Sequence, residues 1–323
     1  MKNKIIKIIV MLSMIFTTYT YSTGNTLEYR VVAETGARFQ WENDGGYCGS
    51  VSVQIAGLKM GFWMSQDQGR KIAGGEVLLG SNMDSLLNAL KLNYTNYNGP
   101  NKSGVADREN YLQWIQDAMQ AENLVIVSVK TNDLLWRGDL SYDHIMAINA
   151  VDGHSKGYYG SDIIKYSDGL DGLESTTTFN NWRDGWNDSS QYYFLPEKKQ
   201  YGVKIFGMAG DDETHPIYLT VDNNSEPNVS QGANPVFKSA IVHMDNLVAG
   251  TTYTLLRWDV DHSTVSAVPT DNILASSSPS NVELEFTSAG SSNTHNVSFI
   301  SNGISIFKLV EGCVGDSSKI LLE

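Results

Sequence analysis

Helical periodicity stops at Gln200. Before that point three stretches place apolar residues on one helical face, whereas after it six short apolar runs are separated by Gly, Asn, Pro and Ser. A chain whose hydrophobic period changes once along its length is neither a single helical bundle nor a single repeating sheet. It predicts an α+β architecture, a helical half plus an antiparallel β half, followed by an all-β sandwich. The 323 residues suffice for two modest domains with a core each. The expected divisions are a removable leader over residues 1–22, a mixed domain over 23–196 and a sandwich over 200–323.

Within the first half, residues 27–33 alternate as a strand. Val51, Ile55, Leu58 and Phe62 lie at helical spacing over residues 50–62, a helix starting at or just after Cys48. Residues 81–92 and 110–120 read as two more helices, the second marked by Leu112, Ile115 and Met119, with Asp107 as its cap. Residues 124–130 form a β-branched buried strand. Residues 144–151 form another, and 161–167 return as its partner after a Gly- and Ser-rich turn over 152–160. A last strand over 192–196 precedes the polar residues Glu197, Lys198 and Lys199. Beyond them, residues 201–208, 217–221, 239–244, 252–260, 282–286 and 304–309 are expected strands.

Lys2, Lys4 and Lys7 precede a short apolar run over residues 8–16 and a small-residue stretch over 17–24, the order of a secretory signal cleaved near Ser22. The run is too short for the roughly 20 residues of a spanning helix, and no second candidate follows. The mature chain is therefore expected outside the cytoplasm, secreted or in a periplasmic, lysosomal or vacuolar space, with no stable membrane insertion. The net charge of -13 excludes nucleic acid as a partner, because phosphate binding needs clustered Lys and Arg. Glycosylation sequons stand at Asn93, Asn101, Asn187, Asn223, Asn228 and Asn296. There is no Cys/His cluster, no His-Glu-x-x-His, no calcium-loop pattern around Asp211-Asp212-Glu213, no phosphate-cradling glycine loop and no Gly-x-Ser-x-Gly, so neither a metal nor a cofactor is expected.

The chemistry-bearing signal is Cys48, in Gly45-Gly46-Tyr47-Cys48-Gly49-Ser50, with Gln40 eight residues before it and His144 far downstream in Tyr142-Asp143-His144-Ile145-Met146. A helix N-terminus lowers a thiol's pKa by stabilising the thiolate. A His can hold and return the proton, and a Gln amide can donate to a developing oxyanion. Against this stands a bridge to Cys313, the second of only two cysteines, in an oxidising compartment. An imidazole base needs an orienting partner. With the turn centred near Lys156, residue i faces residue 312 minus i, which sets Asp168 across from His144. Asp143 points to the opposite strand face and Asp162 falls near the turn.

Residues 30–196 resemble the papain-like cysteine peptidases, most of all the exported branch with a Gly-Tyr-Cys-Gly signature related to the bacteriocin-leader-processing peptidases. The resemblance implies a papain-like catalytic domain with Cys48 as nucleophile, His144 as general base and acid, Gln40 as oxyanion donor and a peptide or protein as substrate. It also brings in a rival to Asp168, because Asn180-Asn181-Trp182 resembles the Asn-x-Trp segment that orients the papain imidazole. Residues 247–253 resemble the fibronectin type III segment ending in a corner tyrosine, which implies a sandwich module of unassigned binding role, with surface or glycan contact one use open to it. Two functions stay open: an exported peptidase, and an exported binding protein on the same scaffold with Cys48 bridged or unused.

Overall fold

The computed structural model describes residues 27–31, 38–40, 46–97, 105–131, 144–154, 160–170, 172–184, 192–194, 200–208, 215–221, 237–260 and 281–313. The expected leader, the polar residues 197–199, the acidic run 211–213, Asp143 and four of the sequons lie outside these. The first elements are β1 (Leu27–Val31), α1 (Cys48–Lys59), β2 (Phe62–Met64), α2 (Gln66–Ala73), α3 (Met83–Ala89), β3 (Leu92–Asn96), α4 (Val105–Gln120) and β4 (Leu124–Thr131). They are followed by β5 (His144–His154), β6 (Ile163–Ser167), β7 (Glu174–Thr178), α5 (Phe179–Asp184) and β8 (Tyr192–Tyr193). The remainder is strand: β9 (Gly202–Met208), β10 (Ile217–Val221), β11 (Phe237–Met244), β12 (Thr252–Val260), β13 (Asn281–Thr287), β14 (Asn293–Ile300) and β15 (Ile304–Glu311). The protein mixes helices with sheets, and every strand pairing among the described residues is antiparallel.

The largest sheet runs β3-β9-β4-β5-β6-β7, with β1 on β5 and β8 on β4. Its second strand corrects the expected division at residue 200. Residues 202–208 were expected to open the sandwich, yet β9 lies between β3 and β4, with Ile126 facing Val203. The remaining strands form a sheet β10-β11-β14 and a sheet β13-β12-β15-β2. Here too the division blurs, because β2 comes from the first half and lines Met64 up with Ile304.

The four-stranded sheet is a wall between two cores. Tyr253, Leu255, Phe307 and Leu309 face a core shared with Leu219, Val242 and Phe299 of the three-stranded sheet. Leu256, Trp258, Ile304 and Ile306 face the larger core of the first half. Tyr253 Oη accepts the N–H of Val248 at 2.9 Å, tying the turn before β12 to its own strand. β15 is buried on both faces from Ile304 to Leu309, with Ser305 and Lys308 covered along with its apolar residues.

α1 is the central helix. Eleven of its twelve residues are buried, so it is covered all round rather than along the single face that the sequence spacing implied. It ends sooner than expected. Gly61, at φ +76°, turns the chain after Lys59, and Phe62, Trp63 and Met64 leave as a fully buried strand. The expected helix over 81–92 is likewise cut to Met83–Ala89, because Lys91 at φ 56° turns Leu92 into β3. Asp107 lies in the first turn of α4, which starts at Val105, rather than capping it.

Candidate active site

Cys48 opens α1, with the carbonyl of Tyr47 accepting the N–H of Val51 at 2.9 Å. The small residue after it has a concrete use. An added Cβ on Gly49 would lie 1.9 Å from the Val77 carbonyl oxygen, so only glycine lets that buried segment press on the helix start. Cys48 is a free thiol, 9% exposed, and no disulfide joins it to Cys313, which is half-buried in the C-terminal turn. Burial pushes the thiol above its ordinary pKa of 9.0, and the nearby Glu76 carboxylate adds to this, while backbone hydrogen bonds from Ile145, Gly49 and its own amide pull the other way. The direction is opposite to the lowering expected of a helix start: desolvation by burial outweighs these backbone hydrogen bonds. Glu76 in turn lies 4.0 Å from Arg70, whose guanidinium covers the Tyr47 ring at 4.3 Å.

The Ile145 amide that reaches the thiol belongs to the residue after His144, and this is what joins the two halves of the site. Ser52 Oγ reinforces the join, donating to Cys48 O at 2.8 Å and lying 3.4 Å from Ile145 O. His144 starts β5 opposite Val129, is buried, and stacks on Tyr192 with ring centroids 5.6 Å apart. Its Nε2 lies 2.8 Å from the backbone carbonyl of Asp168. A carbonyl only accepts, so Nε2 carries a proton, and in the neutral form of such a ring Nδ1 is the basic nitrogen.

Asp168 therefore meets His144, but through its main chain and not its carboxylate. Oδ1 accepts the Leu170 N–H at 2.8 Å, an Asx-turn, and Oδ2 accepts the Tyr192 hydroxyl at 3.2 Å. The alignment differs from the expected one as well. Ala147 faces Ser167, two positions off, and the register shifts again between Ile148 and Ala150 at a bulge. Asp168 lies just past β6, where the chain turns at Gly169 (φ +76°) and brings its carbonyl to the imidazole. Asn180 is placed elsewhere. Its N–H donates to Gly160 O at 2.9 Å, at the turn end of the β5–β6 hairpin, with its side chain over Gly160. Trp182 of the same segment is a core residue against Tyr166 and Phe194.

Gln40 is brought to this cluster by its backbone: its N–H donates to the Gly169 carbonyl at 2.6 Å, one residue from the carbonyl that holds His144. Cys48 at the start of α1, His144 at the start of β5, Asp168 in the loop after β6 and Gln40 in the segment 38–40 are thus linked through Ser52 and the carbonyls of Asp168 and Gly169. Sequence reasoning missed Tyr192, the Glu76–Arg70 pair and Gln66, whose Nε2 donates to the Phe39 carbonyl beside Gln40 at 2.6 Å. The Tyr192 side chain reads as one more strand aromatic, and a buried glutamine has no local signature.

A cavity of about 310 Å³ lies at the far end of α1, lined by Lys59, Met60, Glu122, Phe206, Met208 and Asn246 among others. The helix length puts it roughly 17 Å from the thiol, so it is separate from this cluster. Among the described residues no group of His, Cys, Asp and Glu is arranged to hold a metal, and no helix is long and apolar enough to cross a membrane. No known protein family matches the chain, and no curated protein matches it either.

Proposed function

We propose that this protein is an exported cysteine peptidase of papain-like type, hydrolysing peptide bonds through an acyl-enzyme. The observation that carries the reading is the junction at His144 and Ile145. Ser52 Oγ bridges the carbonyls of Cys48 and Ile145, and the neighbouring His144 ring is held in a defined tautomer by Asp168 O. In this reading His144 Nδ1 takes the thiol proton as Cys48 Sγ attacks the carbonyl carbon. The oxyanion is met by the Gln40 side-chain amide and the Cys48 N–H. His144 returns the proton to the leaving amine, then activates the water that releases the acyl group. Because burial favours the neutral thiol, deprotonation is coupled to substrate binding rather than completed at rest. The Tyr253–Val248 bond supports a fibronectin type III-like module at the C-terminal end.

A second reading keeps the scaffold and drops the chemistry. The 9% exposure of Cys48 favours an unused thiol in an exported binding protein. Hydrolysis of an unfolded protein substrate separates the two. The peptidase reading expects loss of turnover and of active-site titration in Cys48→Ala, with both kept in Cys313→Ala. Turnover that survives in Cys48→Ala, or no turnover by the wild-type protein on any peptide, defeats it.

A further inference from the structure

We infer that Gln66, together with Arg38, is a positioning residue for Gln40, and that through them the C-terminal sheets set the geometry of the oxyanion site. The inference rests on the reading proposed above. Its basis is a three-residue strap, Arg38-Phe39-Gln40, pinned at each residue to a different part of the molecule. Arg38 is buried, donates to Val221 O of β10 at 3.4 Å and lies over the Trp63 ring at 5.2 Å. The Phe39 ring lies against Gly172.

The peptide group between Phe39 and Gln40 is gripped at both polar atoms. Its carbonyl accepts Gln66 Nε2 at 2.6 Å, and its N–H donates to Gly169 O at 2.6 Å. Gln40 and His144 therefore hang on the consecutive carbonyls of Gly169 and Asp168. The orientation of the Gln66 amide is itself set. Its Nε2 donates to Gln54 Oε1 at 3.2 Å, and Gln54 Nε2 donates to Met64 O at 2.7 Å. A buried amide whose Nε2 donates to two acceptors is held far more stiffly than one in solvent.

The strap's supports lead to the β14–β15 turn. Trp63 Nε1 donates to Ser301 O at 2.9 Å, Ser65 Oγ to Asn302 O at 3.2 Å and the Ser65 N–H to Gly303 O at 3.1 Å. Ser65 also caps α2 by accepting the Gln68 N–H at 3.1 Å, which fixes the helix that starts with Gln66. Three successive turn carbonyls thus hold the residues flanking Gln66, and β10 holds Arg38. The C-terminal sheets act on the site as a jig, not as a separable appendage.

The test is a double-mutant cycle on the full mature chain, with kcat and KM on a peptide substrate and the rate of Cys48 alkylation by iodoacetamide. Gln40→Ala is expected to lower kcat about 10²- to 10³-fold, the loss of one oxyanion donor. Gln66→Met is expected to lower kcat roughly 10- to 100-fold with KM nearly unchanged, the effect of a donor displaced by about 1 Å. The double variant is expected to match Gln40→Ala within about 3-fold, because one donor is lost only once. Alkylation, which needs no oxyanion donor, is expected at the wild-type rate in all three. Multiplying losses in the double variant, or slowed alkylation in Gln66→Met, would overturn the inference while leaving the peptidase reading intact. An inactive wild-type chain removes both. Should Gln66→Met fail to give a cooperative thermal transition, Arg38→Met cuts the strap at its other end and is read the same way.

Discussion

Gly49→Ala sets two effects of known sign against each other. Gly49 is the second residue of α1, and in an exposed helix the change gains about 1 kcal/mol from helix propensity. Here the new Cβ would stand 1.9 Å from the Val77 carbonyl oxygen, 2.9 Å from its carbonyl carbon and 3.0 Å from its Cβ. To reach a 3.0 Å separation the Val77 backbone must retreat by about 1.1 Å, and Val77 is wholly buried. A backbone carbonyl cannot swing aside as a side-chain terminus does, so the overpacking cost belongs toward the upper end of the usual 1–3 kcal/mol. The net expectation is a loss of about 1–2 kcal/mol, read as a lower urea midpoint at unchanged m. Gly290→Ala is the control, since nothing lies within 4 Å of its Cβ position. A Gly49→Ala protein as stable as the control would refute the close approach of Val77 to the helix start.

Asp168 is expected to tolerate Asn better than Ala. Asp168→Asn keeps the main-chain carbonyl and an acceptor for the Leu170 N–H, so kcat/KM falls less than about 10-fold. Asp168→Ala unmakes the turn and lowers it about 10²-fold by misplacing the imidazole. Equal losses in the two variants on a peptide substrate mean that the carboxylate charge acts on His144 directly. For pH, the sign follows from the raised thiol pKa of Cys48. The folded state favours the neutral form, so stability is whole below the ordinary value of 9.0 and is lost as pH rises above it. Burial likewise raises Tyr111 well above its ordinary 10.0, extending the alkaline loss. Urea unfolding at about pH 8 and about pH 10 is expected to show a smaller alkaline loss in Cys48→Ala than in wild type, with equal losses contradicting a desolvated thiol.

How far the sequence could be read depends on which interactions are local. β10 and β12 have the expected bounds, and α1 starts at the thiol because two flanking glycines and a run of apolar residues mark the step. β14 was missed: Thr294, Asn296, Ser298 and Ile300 are exposed, and only Val297 and Phe299 carry its inward face. Phe62, the first residue of β2, reads as the end of α1, since an apolar residue at that spacing fits either period until Gly61 turns the chain. The placement of β9 depends on pairing with strands about 75 and 110 residues earlier in the chain, which no window of sequence contains. At the site, the side chains Cys48, His144 and Gln40 announce themselves by type. The Asp168 carbonyl does not, because every residue has one, and neither does Gln66, whose role exists only once it is buried beside Phe39.

The pairing of β2 with β15 has a consequence for how the protein comes into being. Met64 and Ile304 are partners across about 240 residues, and the turn that supports Ser65 is of the same late origin. Such a loop is closed last, after local helices and hairpins have formed, and during synthesis the N-terminal half waits for the final strands before Trp63 has a lining. Until then Phe62, Trp63 and Met64 are an unpaired apolar strand, the kind of segment that aggregates or recruits chaperones. A chain cut after the first half would carry that liability permanently. The support that reaches Gln66 through Trp63 and Ser65 is therefore complete only when the β14–β15 turn is in place.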